Sequence, residues 1–283
     1  MTIAEAVQQA AQQLELTSTS ARLDAEVLAA FVLINDRSFV LVHGTDEIDE
    51  EKRREFEVII AQRAEGIPVA YLTGVKEFYG REFVVDERVL VPRPETEMIV
   101  DEAFRILEGV KEPRIADIGT GSGALAITLD LEIPNATVVA TDISKPALDV
   151  VAQNAHTLDA HISLREGDVF EALTEEEHGS FDLIVSNPPY VDLKTVHLSN
   201  PHSASLKYEP SGALEPVVGD AFSIIEKLIT EASTWLKPNG ALLVEIGYNQ
   251  GGATIEVAKK YFPQKNIEVK QDLTGIDRLL IIS

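Results

Sequence analysis

The sequence predicts an α/β fold, a doubly wound and mostly parallel sheet, with a small all-helical domain ahead of it. Two observations carry this. From Arg114 onward, short apolar runs alternate with helical stretches, the arrangement that produces a parallel sheet covered on both faces. Before residue 66, apolar residues recur at helical spacing. A third piece, Lys76 to Val91, is rich in β-branched and aromatic residues and separates the two regimes.

In "SARLDAEVLAAFVLI", Leu23, Val27, Phe31 and Ile34 define one apolar helix face. "EEKRREFEVIIAQRAEG" repeats the pattern with Phe56, Ile59 and Ile60 and stops at Gly66. Residues 1–74 are therefore expected to form a helical domain. "FYGREFVV" and "ERVLV", separated by Asp86-Glu87, read as the two arms of a hairpin, so 75–92 is expected to link the domains, with Pro92 and Pro94 as punctuation. "PETEMIVDEAFRILEG" has proline at its start, acids in its first turn and glycine at its end, as a helix should. The strands of the large region, 93–283, are then "RIADIG", "ATVVATD", "ISLREGD", "FDLIVSN", "ALLVEIG" and "DRLLIIS". Trp235, in "STWLKPNG", is expected to pack the helix before the fifth of these.

Composition narrows the function. Lys+Arg 24 against Asp+Glu 47 gives a formal charge of -23, which repels a phosphate backbone, so no direct nucleic-acid partner is expected. With Cys 0 there is no disulfide framework, thiolate zinc site or cysteine nucleophile, and the six histidines show no metal-ligand spacing, so no metal is expected. No stretch approaches the ~20 apolar residues of a membrane span. "MTIAEAVQQAAQQLEL" lacks a basic region followed by an apolar block, so a cytoplasmic location without a membrane partner is the expectation.

In a doubly wound sheet, ligands bind beyond the carboxyl ends of the strands. There "ADIGTGSGALAI" places Gly119, Thr120, Gly121, Ser122 and Gly123 between a strand and a helix, where glycines let the backbone turn and a ligand approach closely. The G-x-G-x-G spacing departs from the G-x-G-x-x-G of nicotinamide enzymes. Asp117 at the strand end would repel pyrophosphate but suits a ligand ammonium group. Asp142, ending the next strand, is placed to bind both hydroxyls of a ribose. Asp168 ends the third, where it can accept from an adenine amine while Val169 or Phe170 packs the ring; each acid alone could be a helix cap, a reading stronger for Asp168 than for Asp142. An ammonium, a ribose and an adenine without a phosphate describe S-adenosylmethionine, whose product would be S-adenosylhomocysteine.

The fourth strand ends in Asn187-Pro188-Pro189-Tyr190. A planar amide or aromatic amine is a poor nucleophile, because its nitrogen lone pair is delocalised. If the Asn187 side-chain oxygen and the Pro188 carbonyl each accept one N–H, they fix the nitrogen in the geometry that aims its lone pair at a methyl group. The prolines hold the second acceptor rigid, and Tyr190 offers an aromatic face to the substrate or to a sulfonium. A proline turn that merely ends a strand is the alternative reading.

"NPPY" after "DIGTGSG" resembles the class I, Rossmann-like methyltransferases that act on planar nitrogens. "GIPVAYLTG", "EFYGREFVVDERVLVPRPETE", "NPPYV" and "GIDRLLI" together resemble the PrmC family, also called HemK, over nearly the whole chain. The resemblance implies methylation of the side-chain amide of the glutamine in the Gly-Gly-Gln loop of peptide chain release factors. It implies a cofactor loop at Gly119 to Gly123, a ribose acid at Asp142 and a substrate-amide motif at Asn187 to Tyr190. It further implies substrate recognition by the helical domain and a cleft lined by the segment holding Arg93, Glu95 and Glu97. Val169 departs from the family's frequent tryptophan, and "YEPSGALEP" from an arginine-containing loop. The rivals are a glutamine methyltransferase of a ribosomal protein, an adenine-specific nucleic-acid methyltransferase, against which the charge argues, and a non-catalytic cofactor-binding regulator, which would have no need of NPPY.

Overall fold

Helices open where the sequence supplies an oxygen for the free amides of a first turn. In the computed structural model, which describes residues 1–193, 203–216 and 219–283, Thr2 forms a capping box with Glu5 and starts α1 (Ile3–Leu14). Helix α2 (Ala21–Leu33) follows, then α3 (Arg37–Val42) capped by Asp36 and α4 (Glu50–Ala64) capped by Asp49. Each such side-chain cap is worth about 1 kcal/mol. A short α5 (Val69–Thr73) ends at Gly74. Val7, Leu14, Leu28, Phe56 and Ile60 are buried at the centre of this unit, which comprises Met1–Val75 and, from the later chain, residues 203–209. Its buried carboxylates are satisfied: Asp24 accepts from Ser18 Oγ at 2.7 Å, Ser20 Oγ at 2.8 Å and Arg63 Nε at 2.8 Å, and Glu26 from Arg22 and Arg37.

The apolar face expected of α2 is not the one the bundle uses. Leu23, Phe31 and Ile34 are exposed, and Ala25, Leu28, Ala29 and Val32 are buried instead. Both stripes of the helix are apolar, so spacing alone does not choose between them. The alanine stripe wins because small side chains admit a close neighbour and because it carries Asp24 to Arg63.

The second unit comprises Lys76–Leu193 and Pro210–Ser283. It opens with a hairpin, β1 (Val75–Phe78) and β2 (Arg81–Val84), whose turn is Tyr79-Gly80 rather than the expected Asp86-Glu87. Both turn residues have positive φ, 50° and 74°, as the two-residue turn that matches strand twist requires. "ERVLV" is correspondingly not a strand: Arg88 folds back on Asp86 through Nε at 2.8 Å, and Val89 N donates to Asp86 O at 3.1 Å. A 3-10 turn, Pro94–Thr96, then leads into α6 (Glu97–Ile106).

From here the order is β3 (Arg114–Ile118), α7 (Ala124–Glu132), β4 (Thr137–Asp142), α8 (Lys145–Leu158), β5 (Ser163–Glu166) and β6 (Phe181–Ser186). A turn of helix, α9 (Ser211–Leu214), precedes α10 (Ser223–Trp235), β7 (Leu236–Glu245), α11 (Gly251–Tyr261), β8 (Ile267–Gln271) and β9 (Asp277–Ile282). The seven-stranded sheet runs β5-β4-β3-β6-β7-β9-β8, parallel except where β9 pairs antiparallel with β7 and β8. Strand β8 is absent from the sequence expectation because "IEVKQ" is a half-buried edge strand carrying Glu268 and Lys270, without an apolar run. Alternate residues of the central strand feed opposite faces: Ile115 packs with Leu129 and Leu183 on one side, Ala116 with Ile184 and Ile225 on the other. Trp235 does end the helix before β7, stacked on Phe170 at 5.8 Å. No helix among the described residues is long and apolar enough to cross a membrane.

Candidate active site

Chain order along the sheet reverses at β3. β4 lies on one side of it and β6 on the other, so the carboxyl ends of β3, β4 and β6 open onto one crevice. A cavity of about 850 Å³ occupies that position. Its wall includes Gly119, Thr120, Gly121, Ser122, Asp142, Asp168, Val169, Asn187, Pro188 and Pro189. Most of the candidates chosen from the sequence thus converge on one space.

The glycine loop is fastened on three sides. Gly119 N and Thr120 N both donate to Thr141 O at 2.9 Å, which ties the loop to β4. Gly121, at φ +56, donates its N–H to Asp142 Oδ2 at 2.9 Å, while Ser144 N reaches Asp142 Oδ1 at 2.8 Å. The third fastening is Asn154, a buried side chain on α8 that donates to Ser122 O at 2.9 Å and to Val84 O at 3.0 Å. Gly123 does not reach the wall; a Cβ there would come within 2.7 Å of Val151, so its role is close helix packing.

Asp117 is also off the wall. It is fully buried beneath the loop, where Oδ2 accepts from Thr120 Oγ1 at 2.7 Å and Ala126 N at 3.2 Å, and Oδ1 has no partner. A direct contact with a ligand ammonium is therefore not its place; it organises the loop and the start of α7. Burial, against the pull of those two donors, pushes its carboxyl up to about 7. Burial raises Asp142 too, opposed by the Ser144 and Gly121 amides.

Asp168 stands two residues beyond β5 and is paired with Lys227 Nζ at 2.7 Å. The wall's other basic residue, Arg88, is paired with Asp86. Among the described residues the cavity offers no unpaired cation for a phosphate, and its donor set of backbone amides and carboxylates suits an uncharged ribose and a cationic group. Val169 sits at φ +52, uncommon for a β-branched residue and worth on the order of 1–3 kcal/mol of strain, which points its side chain to the buried side of the wall.

At the end of β6, Ser186 Oγ donates to Ile118 O at 2.7 Å and locks the strand end to β3. Asn187 Nδ2 donates to Thr96 Oγ1 at 3.1 Å, and Thr96 Oγ1 donates to Glu245 Oε2 at 2.6 Å. Tyr190 OH donates to Glu245 Oε1 at 2.6 Å, so the Tyr190 ring is held beside Gly247 and does not line the cavity. Burial, the Glu245 charge and that bond raise the Tyr190 phenol, which therefore stays a donor. Among the described residues none donates to Asn187 Oδ1 or to Pro188 O. Both residues line the cavity, so among the described residues the two acceptors proposed from the sequence are not taken by the protein itself.

From the "VPRPETE" segment, Pro92 and Thr96 line the cavity, whereas Arg93, Glu95 and Glu97 do not. The 3-10 turn rotates Thr96 inward and leaves Glu95 exposed, and Glu97 accepts from Tyr79 N at 2.9 Å to close the hairpin turn. Arg93 and Glu95 still act by charge on Tyr190 and Glu245 respectively. Thr96, Asn154, Lys227 and Glu245 are absent from the sequence reading. Glu245 alone carried a signal, a carboxylate that directly follows the buried run Ala241 to Val244.

The architecture places the chain among the class I methyltransferase folds. The hMettl16 catalytic domain, solved with an RNA hairpin, aligns at TM-score 0.57 and 16% identity over 80% of this chain and 81% of that one. The Thermus 16S rRNA N2 G1207 methyltransferase, solved with AdoMet and guanosine, aligns at 0.50 and 19% identity over 74% and 49%. Residues 5–74 match the PrmC N-terminal domain and 99–204 the methyltransferase small domain. Proteins named release factor glutamine methyltransferase are 42% identical over 82% of both chains in Xylella fastidiosa, 38% over 91% and 93% in Bordetella pertussis, and 35% over 99% and 98% in Koribacter versatilis. The chain belongs to the release factor glutamine methyltransferase family.

Proposed function

We propose that this chain transfers a methyl group from S-adenosylmethionine to the side-chain amide nitrogen of the glutamine in the Gly-Gly-Gln loop of peptide chain release factors, a reaction of the cytoplasm. One observation carries the chemistry: Asn187 and Pro188, whose Oδ1 and carbonyl O accept from no donor among the described residues, stand on the same cavity wall as the glycine loop and Asp142. The substrate follows from the names of relatives that match over nearly the whole chain.

The residues present fit the methyl donor. The loop from Gly119 to Ser122 and the Asp142 carboxylate would lie against its amino-acid and ribose parts, and Asp168 with Val169 against its adenine, on a wall with no free cation among the described residues. Bound there, the donor supplies an electrophilic methyl on sulfur. Asn187 and Pro188 do the rest by accepting the two N–H groups of the glutamine amide. This restrains rotation about the amide, turns the nitrogen lone pair out of the carbonyl π system and aims it into the cavity. Once methylated, the nitrogen is acidic enough to lose its proton to water. The helical unit, with its own core, would hold the protein substrate away from the reacting amide.

The test is methylation of a purified full-length release factor with labelled S-adenosylmethionine, beside the same factor carrying Ala for the Gly-Gly-Gln glutamine. Label on the first alone is expected. Equal label on both, or on neither while a ribosomal protein in extract becomes labelled, overturns the substrate.

A further inference from the structure

The reading of NPPY as an acceptor pair leaves a question the tetrapeptide does not answer. An asparagine amide has an oxygen on one side and an NH₂ on the other, of similar size, and turned over it would present a donor to the substrate instead of an acceptor. Something must choose.

Glu245 does so by elimination. Burial raises the Glu245 carboxyl, against the pull of the Thr96 and Tyr190 hydroxyls and of the Arg278 charge; in the ionised form, which those two donors and Arg278 favour, a carboxylate accepts only. Both of its oxygens are engaged by hydroxyls at 2.6 Å, from Tyr190 and from Thr96, within the range of charge-assisted O–H···O⁻ bonds. The single Thr96 proton is thus committed to Glu245, and Thr96 Oγ1 is left with lone pairs only. Its remaining neighbour, 3.1 Å away, is the Asn187 amide, which can satisfy it only with Nδ2. The oxygen must then face the cavity. The link spans β7, the turn before α6 and the end of β6, and both Thr96 and Glu245 are buried, so water does not compete for the bonds.

We propose that Glu245, acting through Thr96, is the positioning group that fixes the orientation of the Asn187 amide, so that NPPY presents an acceptor to the substrate nitrogen. The inference rests on the glutamine-methylation reading above. Tyr190 shares in it by satisfying the other carboxylate oxygen. A glutamine at 245 can donate to Thr96, which frees the Thr96 proton for Asn187 and removes the bias.

The experiment compares Glu245→Gln and Thr96→Val, both near-isosteric, with wild type in single-turnover methylation of a release factor, alone and combined with Asn187→Ala. Each single variant should lower the rate about 10- to 100-fold, while S-adenosylmethionine affinity by calorimetry stays within about twofold. In the Asn187→Ala background neither should cost anything further, because the group they orient is gone. A second readout needs no turnover: in protein labelled with 15N-asparagine, the Asn187 side-chain amide, assigned by its loss in Asn187→Ala, should exchange with solvent faster in both variants. Wild-type turnover by Thr96→Val, undiminished loss in the Asn187→Ala background, or unchanged amide exchange overturns the proposal. Should Glu245→Gln fail to fold, Thr96→Val decides alone. Failure of wild type to methylate the factor instead strikes the functional reading, and amide exchange still judges the positioning.

Discussion

Asn187 Nδ2 reaches Thr96 Oγ1 across 3.1 Å from a residue 91 positions away in sequence, a bond that engages the donor end of an amide lining the cavity. The side chain that the sequence marks as an acceptor is held in the acceptor orientation by a segment with a different sequence signature. This sharpens what its replacement should do.

Asn187→Ala removes one of two acceptors and leaves the substrate amide free to rotate. The interaction grows as the nitrogen pyramidalises, so the loss belongs to the chemical step more than to binding. A drop in kcat on the order of 10²–10³ is expected, about 3–4 kcal/mol, with cofactor affinity retained. Asn187→Asp keeps an acceptor at nearly the same place but loses the N–H given to Thr96, and should keep part of the activity. Single-turnover methylation checks both; a wild-type rate for the Ala variant with cofactor bound would reduce NPPY to a strand-ending turn.

Asp142 has a double duty that its position at a strand end does not announce. Besides the ribose hydroxyls proposed for it, Asp142 accepts from Gly121 N and Ser144 N. Asp142→Ala should weaken S-adenosylmethionine binding by at least the ~1.5–3 kcal/mol usual for hydrogen bonds to a charged group, and Asp142→Asn, which keeps one oxygen, by less. Calorimetry decides. Equal affinity of the Ala variant and wild type would remove Asp142 from the site.

The helical unit is expected to serve the protein substrate and not the cofactor. Every described residue on the cavity wall belongs to the second unit. A chain lacking residues 1–75 should therefore bind S-adenosylmethionine with wild-type affinity yet methylate a full-length release factor poorly. Undiminished methylation of the whole factor by the truncated chain would refute the assignment.

What could be read in advance divides along a physical line. The glycine loop, Asp142 and Asn187 are legible as cavity residues because each stands at a strand end, and strand ends are visible as apolar runs. Thr96 and Glu245 are not, because their task exists only in a contact between residues 149 apart. Asn154 is hidden for the same reason, on a helix face that looks like any other until it meets Ser122 and Val84. Within local structure the errors are of choice between equals. The sequence offers two apolar stripes on α2 and two turn candidates near the hairpin, and packing selects Ala25 and Leu28 in one case while positive φ at Tyr79-Gly80 selects the other.

Asp117 gives a prediction of opposite sign to the usual carboxylate. Burial raises it from 3.8 to about 7 in the folded chain. Between roughly pH 4 and 7 the folded state therefore holds a proton that the unfolded state has released, and stability falls as pH rises through that window, levelling off above it. At ~1.4 kcal/mol for each unit separating the two states, the loss is of the order of 4 kcal/mol. Asp117→Asn keeps an oxygen for Thr120 and Ala126 and places a neutral NH₂ where Oδ1 has no partner. The variant should then gain on wild type as pH increases, less stable or equal near pH 4 and more stable at pH 8. Urea unfolding of both proteins at the two pH values measures the difference directly. A stability gap between variant and wild type that is the same at pH 4 and pH 8 would show that Asp117 titrates alike in the folded and unfolded chain, and that the loop is held by hydrogen bonds without a buried, proton-linked charge.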